Sequence, residues 1–306
     1  YSRTQKSELG CAELPLTQAQ RAVAGAHLTL PIVLGAISFF VNIPGATVSL
    51  KLSPDVLAGI FQQTITTWDH ADIQALNPSF NPPANQKITV VHRIKGSSST
   101  YLSTEYISKT SSTGKWTLKD SSNTAGYGAV MNWPADSTYF KGARGSGVMT
   151  SSLQSTPYSI GYLDSGHGNA VGELSEVWLK NANGEWLTSQ TAGAIAAAAS
   201  EGFKSPPAPQ DSWEAVSLVN TPGDTTWPIV TFSYMFVHED LTAQGDEGGL
   251  VKSYLEMLFT EEGQTAAQSY GFTKLPASVI ALNKEGLKRL KLANGVGSFD
   301  LRPPRW

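Results

Sequence analysis

The sequence predicts an α/β fold organised in two lobes, and three observations carry that prediction. Apolar, β-branched runs alternate with helical stretches along the chain, the pattern of strands separated by helices. Two of the runs, Leu28–Asn42 and Ile229–Val237, stand about 190 residues apart, so the chain leaves a core and returns to it, as crossings between two lobes require. With 306 residues and 41% hydrophobic content the chain can fill two cores. The expected division places residues 1–34 and 228–306 in lobe 1 and residues 35–227 in lobe 2.

In chain order, residues 1–27 hold Pro15 and then Thr17, a cap for an Ala-rich turn of helix. Leu28–Asn42 reads as two buried strands broken at Gly35, followed by the turn Ile43-Pro44-Gly45. Leu57, Ile60, Phe61, Ile65, Trp68, Ile73 and Leu76 recur at helical spacing behind Ser53-Pro54-Asp55, so 53–76 predicts two short helices. Three prolines make 77–85 a loop. Ser111–Gly147, rich in Ser, Gly and Asn, predicts mostly loop, and Ser159–Leu163 a buried strand. The run 164–168, Asp-Ser-Gly-His-Gly, reads as surface loop. Its His167 stands between glycines with no cysteine nucleophile and no H-E-x-x-H pattern. Val177–Leu187 carries NANG at its centre, a hairpin signal, and six alanines make Thr191–Ser200 a helix. The proline cluster in Phe203–Asp224 marks a linker or a crossing between lobes, and Ile229–Val237 reads as a buried strand pair. Leu250–Tyr270 predicts one amphipathic helix stopped by Gly271, Ser278–Leu292 a last helix, and 297–306 an irregular tail.

Composition narrows the function classes. A net charge of −3 with 15% charged residues gives no broad basic surface, so neither nucleic acid nor an anionic membrane is a main partner, and any anion site is local. The longest apolar stretch, Leu28–Val41, is interrupted by Pro31 and Gly35 and is too short to cross a bilayer as a helix. The opening YSRTQKSELG lacks a basic start followed by an apolar core, so a secretory signal is expected to be absent or already removed. The single cysteine, Cys11, excludes an internal disulfide and a multi-cysteine metal site and reads as a small buried hydrophobe. No cofactor, metal cluster, activated nucleophile or general base is legible, so the chain is not read as an enzyme.

The stretch Lys87–Ile107 carries the chemistry. Apolar Ile88–Val91 runs into His92 and Arg93, then into Gly96-Ser97-Ser98-Ser99-Thr100 ahead of an amphipathic segment. Strand, polar turn and helix start together offer backbone N–H groups, hydroxyl donors and the positive end of a helix dipole, a combination that favours an anion. Arg93 adds a planar fork of donors suited to a tetrahedral oxyanion.

Placed in order along the chain, these motifs resemble the PstS-type periplasmic phosphate-binding proteins, the capture component of phosphate ABC importers. Val41–Gly45, Thr66–Asp69, 73–78 (IQALNP), Val90–Thr100, Asn132-Trp133-Pro134, Ser159–Leu163, Trp227-Pro228-Ile229 and 270–276 (YGFTKLP) match successive family landmarks. The resemblance implies a periplasmic-binding-protein clamshell and inorganic phosphate as ligand, held by Arg93, Gly96, Ser97, Ser98 and Ser99. Glu13, within 9–16 (LGCAELPL), takes the place of the family's aspartate, which accepts the proton of monohydrogen phosphate and thereby rejects sulfate. The family pattern VxRxDGSGTT has an acidic residue where this chain has Lys95 and a glycine where it has Ser98; Ala12 replaces a serine. Charge reversal at Lys95 is expected to strengthen attraction to an anion while altering selectivity.

The resemblance also implies roughly fifty residues ahead of this point in family members, the scale of a βαβ unit with a further loop. On that expectation lobe 1 is incomplete at its N-terminus and a protein partner covers it. Two functional readings follow. One is a secreted or periplasmic solute-binding protein; the other is a structural or accessory subunit of a larger or organellar assembly with a vestigial phosphate site.

Overall fold

The computed structural model describes residues 9–45, 50–201 and 203–299. The irregular tail expected at the C-terminus lies outside the described residues from 300 onward. The chain divides into two compact units. The first comprises Tyr1–Gly35, Phe203–Ser217 and Thr231–Trp306, the second Ala36–Gly202 and Leu218–Val230.

The described residues open with strand β1 (Leu9–Ala12) and helix α1 (Gln18–Ala24), whose cap Thr17 accepts from Gln20 N while Gln20 reaches back to Thr17 N. Strand β2 (His27–Asn42) then runs unbroken for 16 residues, through the Gly35 where two strands were expected to part. Gly35 stays extended rather than turning, and the chain passes there from one unit to the other. Pro31 has no N–H for a ladder, and its carbonyl is taken by Asn283 Nδ2 at 2.6 Å.

The second unit continues with α2 (Pro54–Phe61) and α3 (Ala71–Leu76), the two short helices expected, the first capped by Ser53. Strand β3 (Thr89–Arg93) leads into α4 (Ser98–Thr110). The stretch expected to be mostly loop contains β4 (Phe140–Ala143) and the start of α5 (Ser146–Ser155). Tertiary pairing makes this strand: β4 lies parallel to β3, with Val90 opposite Phe140 and Arg93 opposite Ala143. After β5 (Ser159–Asp164) comes not a loop but the short helix α6 (Ser165–Asn169), because Asp164 caps it by accepting from His167 N at 3.1 Å. The His167 ring is turned to Thr150, with Nε2 3.0 Å from its hydroxyl. Strand β6 (Ser175–Glu176) pairs with β2; β7 (Leu179–Lys180) and β8 (Trp186–Leu187) form the NANG hairpin, and α7 (Ala194–Glu201) follows.

Within this unit the later half of β2 is antiparallel to β5, from Ile37 opposite Asp164 to Asn42 opposite Ser159, and β3 is parallel to both β4 and β5. Helix α4 packs on β5, α5 on β3, β4 and β5, and α2 on α4. The core is aromatic: Phe39, Phe61 and Tyr162 lie with ring centroids 5.5–6.3 Å apart, largely edge to face. Trp227 closes the unit by donating from Nε1 to Ile37 O at 3.0 Å.

In the first unit β9 (Val230–His238), a single strand where a pair was expected, runs antiparallel to β1, with Leu9 opposite Val237. The segment 203–217, expected with lobe 2, packs here, since Trp213 lies 6.2 Å from Phe232 and 5.8 Å from Tyr234. The single helix expected over 250–270 is two, α8 (Asp246–Leu258) and α9 (Glu261–Ser269). Thr260 ends the continuity by capping the second, accepting from Gly263 N at 3.1 Å. The last helix is α10 (Ala277–Leu287). Cys11 is not buried as expected but exposed: among the described residues β1 pairs with β9, and the second half of β1 is open to solvent.

Candidate functional site

Strand periodicity decides which of the two basic residues at the end of β3 serves the site. Successive side chains point to opposite faces. His92 is buried, its ring tilted against Phe140 and Trp133 with centroids 4.6 and 5.3 Å away, and its Nε2 3.0 Å from Asp136 Oδ1. Arg93 faces the other way, at the carboxyl edge of the strand. Its backbone N–H donates to the Tyr162 hydroxyl at 3.0 Å, and its Nη1 donates to Ser146 Oγ at 3.2 Å. Its Nε–H is shut off from solvent and has no acceptor among the described residues, so the guanidinium has an unmet demand for one.

The turn after Arg93 is shaped by α4. Ser97 is the helix cap: its Oγ accepts from Thr100 N at 3.3 Å, its carbonyl accepts from Tyr101 N at 3.1 Å, and its own N–H donates to Ala129 O at 3.0 Å. Thr100 is fully buried, and its hydroxyl meets Tyr162 OH at 2.8 Å. Between these anchors Ile94, Lys95 and Gly96 are exposed, while Ser98 and Ser99 are half-buried on the first turn, where the N–H ends of the helix and its positive dipole end emerge. Gly96 needs neither a positive φ nor extra room, since a Cβ there would meet only Val130 Cγ2 at 3.9 Å. By contrast, a Cβ on Gly142 of β4 would meet Ile94 Cγ2 at 2.4 Å and Asp136 Oδ2 at 2.9 Å, so that glycine gives the loop its space.

Six of the seven expected site residues therefore share one loop. The seventh, Glu13, belongs to the other unit, where it is exposed and its carbonyl accepts from Thr231 Oγ1 at 2.9 Å.

Comparison with known proteins gives the family. The model of the PBP superfamily domain matches residues 6–262. The phosphate-binding protein PstS of Methanocaldococcus jannaschii is 30% identical over 86% of this chain and 68% of its own length. The PstS of Pasteurella multocida is 29% identical over 89% of this chain and 74% of its own. The chain belongs to the PBP superfamily, in its PstS-type family. Solved structures share the fold at low identity. A phosphate-binding protein from Stenotrophomonas maltophilia superposes with a TM-score of 0.72 at 15% identity, covering 97% of this chain and 86% of that one. A high-affinity periplasmic phosphate-binding protein solved with phosphate gives 0.70 at 17% identity over the same shares.

In this PstS-type chain the structure adds residues that sequence reading missed. Ser146 opens α5, whose Gly145 cap supplies no side-chain acceptor, and exposed Arg144 precedes it. The signal was present, because Arg144-Gly145-Ser146-Gly147 repeats the strand, Gly/Ser turn and helix start of the Arg93 stretch. Tyr162 was hidden inside a strand. Burial pushes its hydroxyl up to about 12, so it stays protonated and serves as donor and acceptor at neutral pH. Arg93, Lys95 and Arg144 thus bring three cationic side chains to the carboxyl edge of two adjacent parallel strands.

Proposed function

We propose that this PstS-type chain binds inorganic phosphate on the Arg93–Thr100 loop and acts by capture without chemistry. The observation that carries the reading is the convergence at one strand edge of the Arg93 guanidinium, with an N–H lacking an acceptor, and the Ser97-capped N-terminus of α4. A tetrahedral dianion supplies several acceptor oxygens, and charge-assisted hydrogen bonds are the strong ones. Glu13 is the carboxylate proposed to accept the proton of monohydrogen phosphate, discriminating against sulfate, which carries none at neutral pH. Lys95 contributes attraction rather than fixed geometry, being exposed on the loop. The relatives compared above are binding proteins by name, in keeping with a non-enzymatic role. An extracytoplasmic location goes with this reading; among the described residues no helix is long and apolar enough to cross a membrane.

The test is titration calorimetry of the purified chain with phosphate and with sulfate. Saturable heat with phosphate is expected, lost in Arg93→Ala. Absence of heat at millimolar phosphate removes the proposal and leaves the accessory-subunit reading.

A further inference from the structure

We propose that Tyr162 is a positioning residue for the anion loop, its hydroxyl fixing the strand end that carries Arg93 against the first turn of α4. This rests on the loop being the phosphate site. One oxygen atom accepts the Arg93 N–H at 3.0 Å and shares a hydrogen bond with the Thr100 hydroxyl at 2.8 Å, so both ends of the stretch proposed to supply the ligand donors are tied to the same point. Other backbone ties described for the stretch, Ile94 N to Ala143 O at 3.1 Å and Ser97 N to Ala129 O at 3.0 Å, each go to a different segment. The Tyr162 hydroxyl joins the strand end to the helix.

The point itself is rigid. Tyr162 is 1% exposed, sits in β5 beside β3, and has its ring held between Phe39 and Phe61 with centroids 6.3 and 5.9 Å away. A tyrosine ring has two torsions to fix, and packing fixes both, so the hydroxyl is held where the core places it. The core alone asks only for an aromatic ring; phenylalanine would fill that space. The hydroxyl is explained by what it holds. Setting the separation of Arg93 from the α4 N-terminus in advance spares the ligand the ordering of the loop, which otherwise counts against affinity.

Amide hydrogen exchange and phosphate calorimetry on Tyr162→Phe, Thr100→Val and the double variant test this. Losing one net hydrogen bond corresponds to about a five- to tenfold change. In the ligand-free protein, exchange at Ile94 and Ser97 is expected to quicken by that factor in Thr100→Val and by at least that factor in Tyr162→Phe, which loses both bonds, with the amides of α2 unchanged. The double variant is expected to add little, because both changes remove the same tie. Phosphate affinity is expected to fall by a similar factor, and Thr100→Ser, which keeps the hydroxyl, to restore it. Unchanged loop exchange in Tyr162→Phe, a uniform rise throughout the unit, or an unchanged phosphate Kd overturns the proposal. If the wild-type chain gives no phosphate heat, the binding reading fails on its own, and the exchange data still decide whether the hydroxyl holds the loop.

Discussion

Ser97 caps α4, and in the proposed function it is also a ligand donor; substitution can separate the two roles. In Ser97→Ala the 3.3 Å bond to Thr100 N is lost, and because Thr100 is fully buried no water replaces it. Loss of a serine cap costs about 1 kcal/mol, and a buried N–H left without an acceptor costs about 1–3 kcal/mol. These describe one bond and do not add, so a loss of about 1–2 kcal/mol is expected. Ser97→Asp keeps an equally good cap, and its charge suits the helix N-terminus, so its stability should stay within about 0.5 kcal/mol of wild type. Its carboxylate, however, would face the ligand. Two like charges near 4 Å repel by on the order of 2–4 kcal/mol in a partly exposed site, enough to weaken phosphate binding by about thirtyfold to several hundredfold. Urea unfolding followed by tryptophan fluorescence measures the stability. Six of the eight tryptophans lie in the unit that contains α4, so the signal comes from the right place. Equal stability of Ser97→Ala and wild type, or phosphate binding unimpaired in Ser97→Asp, would refute the assignment of Ser97 as cap and donor.

Two further predictions concern the frame around the loop. Asp120 accepts from Ser122 Oγ, Thr124 N and Ala125 N, and these bonds, the Ser122 hydroxyl first, lower its carboxyl from 3.8 to about 2. A depressed folded value means its contribution is present above pH 4 and lost as the pH falls through 2, so NMR titration should show the turn at 120–125 loosening in that window. An Asp120 midpoint at or above 3.8 would contradict the bonding described. In Gly168→Ala the new Cβ would stand 2.3 Å from two ring carbons of fully buried Phe40. Overpacking of this kind costs about 1–3 kcal/mol, read as a lower urea midpoint with little change in slope; a neutral result would show that α6 can shift.

Much of the fold was legible because it follows from local rules. The run Leu28–Asn42 announces buried strand by its mostly apolar content, Ser53-Pro54-Asp55 announces a helix start by cap chemistry, and NANG announces a hairpin. Misreadings fell where a local signal was overruled by a neighbour. The glycine at 35 looks like a break, yet partners on both sides keep the strand extended. Loop-like Phe140–Ala143 becomes a strand because β3 offers it a parallel ladder. The helical period of 250–270 continues across Thr260, but a hydroxyl that can cap will do so.

The sequence by itself determined that an apolar strand ends in an arginine and a serine-rich helix start, and the order of the surrounding motifs determined the PstS-type family. Both are properties of residues close together in the chain. Tertiary structure alone decided that His92 turns into the core while Arg93 does not, and that Arg93 is held through Tyr162 and Ser146, 69 and 53 residues away. The reason is geometric: a hydrogen bond between distant residues exists only once the strands are in register, and no local pattern encodes which strand will lie beside which.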